Sequence, residues 1–305
     1  MRLSRSSATG ASVAGALCIL AAVAVFPLGG GSVGGRFFGS LRIAKPKVVA
    51  AAAPGAGNPT RQLQNTVAGI LAETTSVAVD EADTSAPNIA VASAAAGIPA
   101  RSISARTDSA AVTVLGAHRL TLRVNRQQLE TLLKEAGRPA RVDDALNGSP
   151  VSLDRGRGVR EEYGHCPAAV ANTLQSQIQG PPPPSTDNNN CVFLVETPLA
   201  AVSVPVGLDT AAVIEIALEL NGLSPKQAGD FRSLFDWRAA LAITLPRGIR
   251  SYEIVNVAGT RGMLMLTAGR REATYMLIWS RDGAVNTLSG YGNSGDARSL
   301  AESVR

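Results

Sequence analysis

Histidine, cysteine and aromatic side chains are scarce in this 305-residue chain, which has two histidines, three cysteines and 4% Phe, Trp and Tyr. With only His118 and His165 and no CxxC pair, a zinc site built from His and Cys is not expected. Neither histidine stands in a nucleophile motif such as GxSxG, and both read as surface residues. The glycine-rich "GRGVR" at 156–160 lacks the lysine and hydroxyl of a phosphate-binding loop, and no cofactor motif is present. The adjacent acids Asp143 and Asp144, like Glu161 and Glu162, would point to opposite faces of a strand. Glu215 and Glu219 would share one solvated helix face. No nucleophile, metal or acid–base set assembles, so neither enzyme activity nor a cofactor is expected. With few aromatics, the core has to be built from Val, Leu, Ile and Ala.

Acidic residues are missing altogether from 1–72, a stretch that holds Arg2, Arg5, Arg36, Arg42, Lys45, Lys47 and Arg61. The rest of the chain then has 22 basic against 24 acidic residues, so the net charge of +5 belongs to a basic leader on a near-neutral body. That body offers no concentrated cationic face for phosphates, and nucleic acid is not an expected partner.

What the leader does contain is "ASVAGALCILAAVAVFPL" at 11–28, uncharged and preceded by Arg2 and Arg5, the pattern of an export segment. A cleaved signal and a retained anchor both begin this way. About 16 strongly apolar residues precede Pro27, and 28–31 extend them toward the ~20 that cross a bilayer. No clean small-x-small site directly follows the run, and Leu17 before Cys18 does not suit a lipoprotein site. The expectation is an uncleaved transmembrane helix over 13–31, a cytoplasmic tail over 1–12, and a single-pass cell-membrane protein whose bulk is extracytoplasmic.

Beyond that segment, Cys166 and Cys191 bracket a loop containing "PPPPSTDNNN", which cannot hold itself by packing. In an oxidising compartment the two would close 166–191 as a disulfide. A loop of that size contributes about 3 kcal/mol by restricting the unfolded chain. Two unrelated buried thiols are the alternative.

Residues 32–85 read as a juxtamembrane strand followed by an Ala/Ser-rich tether, and the short apolar stretches "TTSVAVD" and "NIAVAS" read as marginal strands of the tether or loosely patterned parts of the domain. The folded domain is expected over 86–305. "HRLTLRVN" alternates as a half-buried strand, and Asn125 caps the helix "RQQLETLLKEAG". "SPVSLD" and "CVFLVET" read as strands on either side of the cysteine loop. Two helices follow, "LDTAAVIEIALELNG" and "LSPKQAGDFRSLF", the second with Ser224 as cap and Pro225 at its first position. "ALAITLP", "YEIVNV", "RGMLMLTA", "TYMLIWS" and "AVNTLSGY" are five strand candidates, the last two joined by a tight turn at 281–283. "TYMLIWS" is apolar on both faces and so central, and "GDARSLAESVR" closes as a helix whose Leu300 and Val304 can dock on the sheet. The fold class is α+β, an antiparallel meander with separate helices.

Gly259, Gly262, Ile278, Trp279, Asp282, Gly283, Gly290, Ala301, Ser303, Val304 and Arg305 stand in the order strand, "v-G-x-x-G", strand, "IW-x-x-(D/N)-G" hairpin, strand and closing helix. This run resembles a bacterial domain of unknown function that ends many membrane-anchored proteins related to anti-sigma factors. "GRFFGSLRIAKPKVV", "SAAAGIPA" at 93–100 and the stretch from "LTLRVN" to "YGHC" resemble upstream elements of the same family. Ile98 stands where that family has Phe. The resemblance covers roughly residues 10–49 and 90–305. It implies a curved antiparallel sheet carrying helices, akin to lipoprotein-carrier and envelope-sensor folds, beyond a single membrane anchor. Relatives of that type carry a sigma-binding domain before the anchor. Here only residues 1–12 precede the apolar run, so an outside-only component or a split partner is expected. Trp237 and Trp279 would line a candidate groove on the concave sheet face for a lipid or peptide, with Met263, Met265, Met276 and Tyr163, or would simply be core. The expected function is a non-enzymatic sensor or binding domain whose partner is an envelope protein or an apolar ligand. A lipid- or lipoprotein-binding carrier is the alternative.

Overall fold

Capping chemistry marks most helix starts among the described residues. Asn88, Asn125, Asp209, Ser224 and Asn293 each accept a backbone N–H of the first turn, and Ser224 with Gln227 and Asn293 with Asp296 form reciprocal capping boxes. The computed structural model describes residues 62–164, 166, 190–246, 248–267 and 274–305. The expected membrane segment 13–31, the stretch up to 61, His165 and the interior of the proline-rich loop lie outside the described residues.

The elements run in chain order as follows. They begin with α1 (Gln62–Leu71), β1 (Thr75–Asp80), β2 (Thr84–Ala86) and α2 (Ile89–Ala96). Next come β3 (Ala111–Leu115), β4 (His118–Arg123), α3 (Arg126–Glu135), β5 (Pro150–Arg155) and β6 (Gly158–Tyr163). Then follow β7 (Val192–Pro198), β8 (Ala201–Ser203), α4 (Thr210–Leu220) and α5 (Pro225–Leu234). The chain closes with β9 (Ile249–Val257), β10 (Thr260–Thr267), β11 (Thr274–Arg281), β12 (Ala284–Tyr291) and α6 (Ser294–Glu302).

The fold is α+β, and its strands form two antiparallel sheets where one was expected. A four-stranded sheet has the order β1-β4-β5-β8, and an eight-stranded sheet has the order β2-β3-β6-β7-β12-β11-β10-β9. The C-terminal meander β9 to β12 is thus extended across β12 by β7, β6 and β3. Asp282 and Gly283 at the β11–β12 turn both have positive φ, 51° and 76°. That is the two-residue turn whose twist matches the flanking strands. Gly262 is required for closeness: a Cβ there would lie 2.7 Å from the Ile278 carbonyl oxygen.

One face of the meander (Met263, Met265, Met276, Ile278 and Val285) belongs to a core shared with α1, α4, α5 and the inner face of the four-stranded sheet. The opposite face (Leu264, Tyr275, Leu277, Trp279 and Leu288) is covered by α6 and by the stretch around Ile103. Strand β11 is therefore buried on both faces, as its doubly apolar sequence requires.

Three expectations change. The domain begins no later than Gln62: α1 buries Leu63, Val67, Ile70 and Leu71, and β1 pairs with β4, so residues 62–85 are domain rather than tether. The alanine-rich composition of 50–85 hides this, because α1 gains its stability from tertiary packing rather than from length. "NIAVAS" is helical, as α2. "ALAITLP" is not a strand: Trp237–Ala242 is a 3₁₀ helix capped by Asp236, with Ala239, Ala240, Leu241 and Ala242 all buried. A short run that is apolar at every position carries no period that could separate the two. In the closing segment Ala297 and Ala301 are the buried helix positions, while Val304 lies past the helix and bridges to Ile103.

Candidate functional site

The residues proposed as one groove do not share a surface. Met263, Met265 and Met276 are 0%, 1% and 6% exposed in the core beneath α1, α4 and α5, with Trp237 packed at its margin. Trp279 and Tyr163 stand on the other side of the eight-stranded sheet. In-register pairing of Gly262 with Trp279 and of Met263 with Ile278 forces this, since neighbouring residues on a strand face opposite ways. The Cys166 and Cys191 sulfurs lie 2.08 Å apart, at disulfide bonding distance. Cys191 is buried beside Phe193 at the entry to β7. His118 is buried rather than on the surface, with its Nδ1 3.7 Å from an Asp80 oxygen. Glu215 and Glu219 are partly covered and paired with Arg138, and Glu215 also with Arg232, so that face is ion-paired rather than simply solvated. Among the described residues, no group of three or more His, Cys, Asp or Glu could hold a metal ion.

The face that carries Trp279 and Tyr163 also holds two buried carboxylates, Glu161 and Glu196, at 1% and 2% exposure. Strands β6 and β7 pair Val159 with Glu196 and Glu161 with Leu194, which makes the two acids diagonal neighbours on one face. The stretch 101–106, hereafter the strap, lies over them. The Arg101 N–H donates to Glu196 Oε2 at 2.5 Å, and the Arg101 guanidinium sits 3.5 Å from Oε1 while also reaching Asp282. The Ser102 hydroxyl donates to Glu161 Oε1 at 2.8 Å, and the Tyr163 hydroxyl donates to Oε2. Tyr163 Oη in turn accepts the Ile103 N–H at 3.0 Å. Three consecutive strap residues are thus tied to two glutamates and a tyrosine.

A second ladder holds the outer side of the strap. Ser102 and Arg305 exchange both backbone hydrogen bonds at 3.0 Å, and the Ser104 N–H donates to the Ser303 carbonyl. Burial pushes the Glu196 carboxyl up to about 7; hydrogen bonds and charge from Arg101 oppose the shift, and the Glu161 charge adds to it. Burial also raises Glu161, partly offset by hydrogen bonds from Tyr163 and Ser102. The Tyr163 hydroxyl is pushed up to about 12, first by burial and then by Glu161.

Asn286 on β12 is the cross-strand partner of Glu196 and is 1% exposed, yet neither atom of its amide has a hydrogen-bond partner among the described residues. An unmatched buried amide is costly. Asn286→Leu, close to it in shape, should raise stability by about 1 kcal/mol or more. The check is the urea midpoint, and a lowered midpoint would mean that the amide is satisfied by water in solution.

At the end of the strap, Arg106 is bonded by two nitrogens to Asp108 at 2.8 Å, and its guanidinium carbon lies 5.9 Å from the centre of the Tyr163 ring. Arg106 and Asp108 edge an open depression of about 620 Å³ next to Gly164 and Asn190. Its one arginine is already matched, since that hydrogen bonding holds the Asp108 carboxyl down at about 2.

Sequence reasoning treated Glu161 only as the neighbour of Glu162 and passed over Glu196. A signal was available: both acids stand at the buried parity of their strands, Glu161 with Val159 and Tyr163, and Glu196 with Val192 and Leu194. An acid at an inward position of an apolar strand needs a partner. The strap supplies it. Both carboxylates are shut away from solvent beneath it.

No protein-family model, no curated protein and no solved structure matches this chain.

Proposed function

We propose that this chain is a membrane-anchored, extracytoplasmic sensor or binding domain without catalytic activity, a relative of the anti-sigma-associated domain that its C-terminal motifs resemble. The observation that carries this reading is the approach of Cys166 and Cys191 to 2.08 Å across the neck of a proline-rich loop. Such a staple suits an oxidising compartment, and the uncharged run at 11–28 supplies a route there. The burial of Glu161 and Glu196 beneath the strap supports binding or sensing over catalysis, because a catalytic acid has to meet its substrate. The partner is an envelope protein or an apolar ligand. The carrier alternative loses its main support, since the aromatic and methionine residues it needs are divided between two faces of the sheet.

Thiol labelling in intact cells with a membrane-impermeant reagent tests the reading. Labelling of Cys166 and Cys191 only after reduction is expected. Labelling only after lysis, with no reductant needed, would place the domain in the cytoplasm and end the proposal. In the purified protein, Cys191→Ser should cost about 3 kcal/mol, measured by urea unfolding against the oxidised chain.

A further inference from the structure

The strap is attached to the sheet through side chains that can change charge, whereas its other edge is held by backbone and hydroxyl bonds to residues 303–305 and by burial of Ile103 in the apolar cluster that holds Val304. Fully ionised, the cluster would set three carboxylates, the buried Glu161 and Glu196 and the exposed Asp282, against two guanidiniums: that of Arg101, which Glu196 and Asp282 share, and that of Arg281 on β11, 3.5 Å from Asp282. The neighbours do not correct this imbalance. Strand β6 contributes Tyr163, which donates to Glu161, and β12 contributes the neutral Asn286. Arg106, on the strap itself, is committed to Asp108, and Glu162 faces the other side of the sheet, where it pairs with Arg160. The tail approaches through backbone groups of Ser303 and Arg305 and the Ser303 hydroxyl.

We propose that the strap is a proton-operated latch: it stays closed over the sheet while Glu161 and Glu196 together keep one proton, and it lifts when that proton is lost. Lifting lets water reach both carboxylates and the Tyr163 hydroxyl and breaks the bonds that Arg101, Ser102 and Ile103 make. The proton passes from the glutamate pair to solvent, and no other group changes charge. This inference holds wherever the protein resides and does not depend on the anchor or the disulfide.

The direction follows from linkage. Burial raises Glu196 to about 7 in the closed form, against an ordinary value of 4.5 once the site is wet. The closed form therefore binds more protons between those values. Closure is fully favoured below about 4.5 and is lost as pH rises through about 7, with a ceiling of roughly 300-fold in the opening equilibrium.

Amide hydrogen exchange on the full chain, from pH 4 to 8.5 and corrected for intrinsic base catalysis, tests the latch. Protection at Arg101 and Ile103, whose amides are bonded to Glu196 and Tyr163, should fall by up to tenfold per pH unit between about 5 and 7 and level off outside that window. Amides of central β11, such as Leu277, should not change. Glu196→Gln, neutral at every pH, should keep the strap protected at pH 8 and flatten the profile. A pH-independent strap in the unsubstituted chain, or an unchanged profile in Glu196→Gln, overturns the proposal. If that variant does not fold, carboxyl NMR titration of the unsubstituted chain decides: a Glu196 midpoint near 4.5 overturns it, and one near 7 supports it.

Discussion

A chain that begins at Ala86 should not fold cooperatively, whereas one that begins at Gln62 should. Helix α1 places Leu63, Val67, Ile70 and Leu71 in the main core at 0%, 3%, 1% and 2% exposure. Burial of each such side chain contributes about 1.5–3 kcal/mol, so the four together rival the whole stability of an ordinary domain, about 5–15 kcal/mol. Hydrogen bonds are lost as well. The Gln64 amide donates to the Leu153 carbonyl at 2.7 Å, and the Leu71 carbonyl accepts the Asn125 N–H at 2.7 Å just where α3 is capped. Strand β1 leaves with α1 and bares the long edge of β4. Circular dichroism through a urea titration reads the outcome. If the two chains have equal midpoints, residues 62–85 are dispensable, as the tether reading held.

The second large effect is expected at Trp279, whose replacement by Ala should cost about 3–5 kcal/mol. The indole is 2% exposed and packs on the face that also carries Tyr275, Leu277 and Leu288. Across β10 stands Gly262, whose missing side chain leaves the space that Trp279 occupies: a Cβ there would come within 3.2 Å of the Trp279 Cβ. A cavity opened between the sheet face and what covers it, where neighbouring strands are fixed by their ladder, has little freedom to collapse. Equilibrium unfolding of Trp279→Ala gives the number directly. A loss under about 1 kcal/mol, accompanied by release of a bound apolar molecule, would instead mark the indole as the wall of a ligand groove.

Much of the local structure was legible in the sequence. Alternation in "HRLTLR" marked β4, Asn125 and Ser224 marked two helix starts, and Asp282 with Gly283 marked the β11–β12 turn. The doubly apolar β11 was recognised as central. Two kinds of position were misread. Alanine-rich α1 was assigned to the tether because composition records what a segment contains, not what packs against it. The run "ALAITLP" at 240–246 was read as a strand because a segment buried on every side has no periodicity left to betray its shape.

The candidate site was almost wholly hidden. Glu161, Tyr163 and Glu196 could be listed from the sequence, but nothing local says that the strap's Arg101, Ser102 and Ile103 would reach them. The reason is range. A cap or a two-residue turn is settled by groups within about four positions of each other, where chain entropy costs little. The sequence alone therefore determined where most helices and strands begin and end, which faces of them are apolar, and that two cysteines flank a loop too polar to pack. Which strands become neighbours depends on closing long loops against the burial of a shared core, and only the tertiary structure decides that. That choice set β6 beside β7 and drew the strap and the tail over them. It also left two carboxylates in a place dry enough to hold a proton near neutral pH.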